Sequence, residues 1–225
     1  VEETREVIAR YRDRGYVAHS VKIGGDTERD IARVRDVESL RKPGETMLYD
    51  VNRGWSRQQA LRVMRATEDL GVMYEQPCET LDDIAATRAL HAAPVSVDES
   101  LVTLQDAVRI ARDGLAETFG IKLNRVGGLT KAARIREVAL AHGIDMFVMA
   151  TGGSVLADAE ALHLAATIPD QNCHAVWACQ DMITVDVAGG RGPRNRDGHL
   201  QLPDAAGLGV HPDETALGAP VAVYG

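Results

Sequence analysis

Residues 46–52 read TMLYDVN. Side chains alternate across a strand, so Leu48, Asp50 and Asn52 share one face and Met47, Tyr49 and Val51 the other. An acid thus closes an apolar strand just before a turn. The same design returns downstream. VMYEQP (72–77) puts Met73 and Glu75 on one face. PVSVDES (94–100) pairs Ser96 with Asp98 and sets Val95 and Val97 opposite. ETFGIKLN (117–124) points Gly120 and Lys122 one way and Phe119, Ile121 and Leu123 the other. Upstream, HSVKIGG (19–25) aligns Ser20 with Lys22. From Asp50 to Glu75, Asp98 and Lys122 the steps are 25, 23 and 24 residues.

Between these runs lie helical patterns. DTERDIARVRDVESLR carries Ile31, Val34, Val37 and Leu40 at helical spacing, with Asp26 or Thr27 as cap. SRQQALRVMRATEDLG ends on Gly71. Four more helical stretches alternate with strands, the last two strands being IDMFVMAT and CHAVW. Seven strands separated by helices predict a parallel α/β architecture. An open doubly wound sheet fits the alternation too, but regular units with polar strand ends favour a (β/α)₈ TIM-type barrel whose first strand lies before Val1. The barrel is expected over residues 1–180. After Trp177 the rhythm stops, and the Gly- and Pro-rich residues 181–225 are read as an extension packing outside the barrel. GGRGPRNRDG has no helix after it and reads as a turn-rich connector.

Bulk composition narrows the classes. The 225 residues are 45% hydrophobic and 26% charged, an ordinary soluble balance. A formal charge of −8 argues against a nucleic-acid partner, which wants a basic face. There is no apolar run near 18 residues, hence no membrane span is expected. VEETREVIARYRDRGY reads as an amphipathic helix and not a signal peptide, and the abrupt helical start suggests a piece of a longer protein. Three cysteines, Cys78, Cys173 and Cys179, form no CxxC pair, which makes a reducing cytoplasm the simplest setting.

Asp50, Glu75 and Asp98 would converge at one barrel mouth. Unpaired, they would repel and some would protonate; a divalent cation resolves this, and all-oxygen ligation suits Mg²⁺. The plain alternative is three solvated acids at loop starts. Lys22 and Lys122 flank the set and should face each other across the mouth, where a nearby cation would favour a neutral, basic amine. Their plain alternative is an ion pair with a neighbouring carboxylate, Asp98 in the case of Lys122. Together the five residues predict a metal-held carboxylate substrate. One lysine removes its α-proton to give an enediolate. The second either returns a proton from the other face or helps a β-hydroxyl leave.

YDVN, YEQP, VDES and GIKLNRVGG resemble the strand signatures of the enolase superfamily, in its mandelate racemase/muconate lactonizing enzyme subgroup, over nearly the whole chain. Such sites pair a lysine or histidine base with Mg²⁺. The resemblance implies Asp50, Glu75 and Asp98 as metal ligands, Lys22 and Lys122 as acid/base residues, and Asn52 as a partner beside the metal. It also implies a capping domain and a first barrel strand absent from this chain, and a homo-oligomer. The subgroup usually carries Lys-x-Lys on its second strand; Ser20 stands in the first of those places. EQPCETLDDIAATR and FGIKLNRVGGL look most like members acting on proline derivatives. This implies a lyase of amino acid catabolism that dehydrates cis-3-hydroxy-L-proline, with 2-epimerisation of proline betaine or 4-hydroxyproline betaine as the alternative isomerase activity. Trp177 fits as a cover over a cyclic ammonium by cation–π contact, or equally as a buried core residue. Thr151, with Gly152 and Gly153, would leave room for a ring.

Other residues take ordinary readings. His19 faces the helix layer, His163 sits in a helix core, His91 and His142 stand at helix ends, Cys78 is a small loop residue and Trp55 closes a loop. Two further classes compete with catalysis: a scaffold barrel with vestigial acids, and a dinucleotide-binding oxidoreductase. The second needs a GxGxxG spacing that KIGGDTERD lacks.

Overall fold

A computed structural model of the chain describes residues 2–179 and 182–223. Helix α1 (Glu2–Arg12) leads into β1 (Ala18–Lys22), α2 (Thr27–Glu38), β2 (Thr46–Asp50), α3 (Arg57–Ala66) and β3 (Met73–Glu75). Then come α4 (Leu81–Arg88), β4 (Val95–Val97), α5 (Leu104–Arg112), β5 (Thr118–Lys122) and the one-turn α6 (Leu123–Val126). Helix α7 (Leu129–Ala141), β6 (Asp145–Met149), α8 (Val155–Ala165) and β7 (Cys173–Trp177) complete the alternation.

The seven strands are all parallel and lie in chain order, with β1 and β7 as the edges of the sheet. Laid flat, six strand spacings would hold those edges about 29 Å apart. Instead the Lys22 ammonium at the end of β1 stands 5.8 Å from the ring centre of Trp177 at the end of β7. The sheet therefore curls into a nearly closed barrel, as the regular βα period predicts.

Strand alternation sorts the apolar residues into two cores. Val21, Tyr49, Tyr74, Val95, Val97, Phe119, Ile121 and Val148 face the helices and join Val34, Val63, Ile84, Ile110 and Ile135 in the larger one. Inside the barrel, Leu48, Phe147 and Met149 pack with Met73 and Ala175. This inner plug forms a floor of apolar side chains beneath the strand ends.

Helices α2, α3, α4 and α5 start on side chains that satisfy otherwise orphaned backbone N–H groups. Asp26 accepts from Arg29 N at 3.0 Å, and Thr80 from Asp83 N at 3.1 Å. Ser56 with Gln59, and Thr103 with Asp106, form reciprocal capping boxes. The loops after β1 and β2 are locked together. A Cβ at Gly24 would overlap the Val51 carbonyl, and one at Gly54 the Gly24 carbonyl. Buried Asp30 joins the same two loops, accepting from Gly24 N at 3.1 Å and from Trp55 Nε1 at 3.0 Å.

Opposite the polar strand ends, α1 is pinned by Arg12. Its guanidinium donates to both Glu45 oxygens at 2.6 and 2.7 Å and to Leu40 O at 2.6 Å. The Arg12 hydrogen bond holds the Glu45 carboxyl down at about 2, against burial that pushes it up. A depressed carboxylate adds stability above its unfolded value of about 4.5, and that stability is lost as pH falls through the folded value. Glu45→Gln is expected to lose on the order of 2–3 kcal/mol at pH 7 and to unfold with a flatter pH dependence between about pH 5 and 2. Urea melts across that range check this; parallel curves for the two proteins would show that the pair contributes nothing.

After β7, the hairpin β8 (Asn195–Arg196) and β9 (His199–Leu200) sits against the turn before β1, where Asn195 Nδ2 donates to Arg14 O at 3.2 Å. Helix α9 (Glu214–Leu217) is capped by Asp213. The boundary expected at 180/181 falls on residues outside those described. Among the described residues no helix is long and apolar enough to cross a membrane.

Candidate active site

Register brings the strand ends level. Lys22 pairs with Asp50, Asp50 with Glu75, and Glu75 with Ser96, two residues before Asp98. Lys122 is level with Met149, and Met149 with Trp177. Each charged residue follows an apolar stretch whose alternate side chains are held by the helix layer. That packing fixes the inward direction of its neighbours.

Three acids are buried here: Asp50 is 1%, Glu75 2% and Asp98 0% exposed. Asp50 accepts from Asn52 N at 2.9 Å and is ion-paired with Lys22. Asp98 is held on both oxygens, by Lys122 and by Arg125. Glu75 lies between them, and no hydrogen bond reaches its carboxylate among the described residues. Burial drives the Glu75 carboxyl well above the usual carboxylate range. The charges of Asp50 and Asp98 push the same way, against the pull of Lys122 and Lys22.

The plain alternative for both lysines, an ion pair with a neighbouring carboxylate, is therefore present at both places. Lys22 keeps half of its side chain exposed, whereas Lys122 is 11% exposed. Asn52 sits at φ 48°, followed by Arg53 at φ 67°. This left-handed turn folds its amide back over the site. Its Oδ1 accepts from Lys22 Nζ at 3.0 Å, and its Nδ2 donates to Glu99 Oε1 at 3.2 Å. Gly120 lies beside Asp98, where a Cβ would crowd Val97 O at 3.1 Å and come into ordinary contact with Asp98 Cβ at 3.5 Å.

The remaining expected residues lie around this centre. Ser20 is exposed two residues before Lys22. Thr151, at φ 56°, donates to Asn124 Oδ1 at 3.2 Å. Trp177 is 38% exposed and its ring stands beside the Lys22 ammonium, so the buried-core alternative does not hold. Three residues outside the sequence reading belong to the site: Gln76, Glu99 and Arg125. Arg125 had a signal, since it lies three residues after Lys122, one helical turn on.

The donor set tests whether a metal fits. Among the described residues no three acidic, histidine or cysteine groups already enclose a cation position, because Asp50 and Asp98 are turned onto basic partners. Yet a buried glutamate without a donor, beside two more buried carboxylates, is a costly arrangement that a hard divalent cation relieves. The residues fit an oxygen-ligated ion such as Mg²⁺.

Comparison with known proteins identifies the family of the fold. The Enolase C-terminal domain-like family matches residues 3–216. The chain belongs to that family. It is 34% identical over 227 residues to a cis-3-hydroxy-L-proline dehydratase of Roseibium aggregatum, covering 99% of this chain and 62% of the relative. It is 32% identical to an L-Lys-D/L-Arg epimerase of Methylococcus capsulatus, covering 95% of this chain and 61% of that enzyme. Among solved structures, a Silicibacter pomeroyi protein assigned to the mandelate racemase/muconate lactonizing enzymes superposes with a TM-score of 0.97 at 83% identity, over 99% of this chain and 61% of that one. A Roseovarius nubinhibens ISM enolase-superfamily member complexed with magnesium gives 0.93 at 41% identity, over 97% and 60%. The chain thus spans about 60% of the length of these relatives. Both curated relatives are enzymes, and the barrel is the part that the solved structures share with this chain.

Proposed function

We propose that the protein containing this chain is a Mg²⁺-dependent lyase that removes the α-proton of a cyclic amino acid and dehydrates cis-3-hydroxy-L-proline. One observation carries the reading: buried acids end β2 and β3 and a third directly follows β4, and an amine ends the strand on either side, Lys22 on β1 and Lys122 on β5. The likeness to the Roseibium dehydratase supplies the substrate class.

Asp50, Glu75 and Asp98 would hold the cation, which when bound would neutralise the substrate carboxylate and make the α-proton easier to remove. The proton work falls to the lysines. One takes the proton from the α-carbon. The other gives a proton to the 3-hydroxyl, the C–O bond breaks, and water leaves as the C2–C3 double bond forms. The enamine then tautomerises to Δ1-pyrroline-2-carboxylate. Asn52 fixes the approach of Lys22, and Trp177 offers an aromatic face close to where a ring ammonium would lie.

The likeness to an epimerase favours a second reading, 2-epimerisation of proline betaine or 4-hydroxyproline betaine. An amine on each outer strand suits a proton removed from one face and returned to the other. Incubation of the purified full-length protein in D₂O with each substrate separates the two. Deuterium at the α-carbon of both substrates, with water lost only from the 3-hydroxy compound, supports the lyase. Inversion of the betaine without dehydration of the hydroxyproline moves the assignment to the epimerase. No exchange and no Mg²⁺ binding would return the scaffold reading.

A further inference from the structure

Gln76 follows Glu75, and by strand alternation its side chain should point outward to the helices. It does not. The backbone turns into the left-handed region at φ 40°, which a residue with a Cβ seldom adopts. That turn swings the amide sideways, under the end of β4. There it is 0% exposed and its hydrogen-bonding groups are all used. Its Oε1 accepts from both Asp98 N and Ser100 N at 3.1 Å. Its Nε2 donates to Ser100 Oγ at 2.6 Å and to Cys78 O at 3.1 Å. Its backbone N–H donates to Ser96 O at 2.8 Å, and its carbonyl accepts from Arg53 N at 2.8 Å.

These six bonds join the loop carrying Asn52 and Arg53, the end of the strand carrying Glu75 and the loop carrying Asp98. A disfavoured backbone angle persists only where its surroundings over-determine it, and such positions gather at functional sites. Here the surroundings are the three chain segments that bear the acids.

We propose that Gln76 is a positioning residue that sets the spacing of the acidic strand ends, fixing the backbone of Asp98 against that of Glu75 so that both carboxylates can share one divalent cation. The inference rests on the metal reading of Asp50, Glu75 and Asp98 given above. It differs from a purely structural role in what it governs. A core clamp sets stability alone, whereas a spacer between ligands sets cation affinity. Arg125 and Lys122 hold the Asp98 side chain but not its backbone, so they do not replace it.

The test is calorimetric titration of MgCl₂ into the full-length protein without substrate, together with thermal melts. Gln76→Gly removes the amide while easing the left-handed angle. Gln76→Asn keeps an amide that is one methylene too short to reach both N–H groups, and stands in should the glycine variant fail to fold. Asp98→Asn reports on the metal reading itself. The expected result is Mg²⁺ binding weakened by about 10–100-fold in the folded Gln76 variants, the range seen when a ligand's supporting partner is removed. A lower melting temperature with unchanged Mg²⁺ affinity, while Asp98→Asn abolishes binding, overturns the positioning role. Unchanged binding in Asp98→Asn overturns the metal reading instead, and the spacer role with it.

Discussion

Lys122→Ala is expected to slow α-proton exchange by about 10²–10⁴-fold, the span that a positioned general acid or base contributes. Lys122 is the better ordered of the two amines: it is 11% exposed, on a strand paired along its whole length, and held against Asp98. Its loss leaves Asp98 paired with Arg125, so the acid is not stranded and the fold should survive. NMR of the substrate in D₂O reads the effect directly. Exchange at the wild-type rate would remove Lys122 from abstraction of the α-proton. If exchange survives while water loss stops, Lys122 is the acid that serves the leaving hydroxyl, and Lys22 is the base.

Glu75→Gln should produce the second large effect, with opposite signs in two measurements. The wild-type carboxylate is buried, accepts no hydrogen bond among the described residues and faces the charges of Asp50 and Asp98. Replacing it with a neutral amide removes that repulsion, so the metal-free protein should melt at a higher temperature than wild type. On the metal reading proposed above, the same change deletes a ligand. Mg²⁺ affinity should therefore fall further than the ~10–100-fold that follows loss of a ligand's outer partner, and Mg²⁺ should no longer raise the melting temperature. A variant that is less stable without metal would show that Glu75 is held by favourable contacts rather than by its place in a metal site.

Much of this was legible in the sequence because it depends on local periodicity. Asp50, Glu75 and Asp98 end strands whose alternate residues are buried against helices, and parity aims them inward without knowledge of the tertiary structure. Lys22 and Lys122 follow the same rule. Where the backbone leaves the pleat, the rule fails. Gln76 reaches sideways because its φ is positive, and nothing in YEQP announces that. Asn52 was placed near the centre, but its bridge from Lys22 to Glu99 links the ends of β1, β2 and β4 and depends on two successive left-handed residues. The meeting of Lys22 with Trp177 follows from sheet curvature, a property of all seven strands together. Arg125 was within reach, since helical spacing after Lys122 points it at the same acid. The ion pairs of both lysines are the plain alternative to a free base, and the structure holds both.

The placing of the indoles has a practical consequence. The chain contains two tryptophans. Trp55 is sealed at 2% exposure and bonded to Asp30, while Trp177 stands 38% exposed at the rim beside Lys22. Intrinsic fluorescence therefore divides into a constant background and one reporter. Iodide should quench the Trp177 emission and spare that of Trp55, and any solute that settles over the rim should shield the quenchable fraction, giving a binding signal with no label attached.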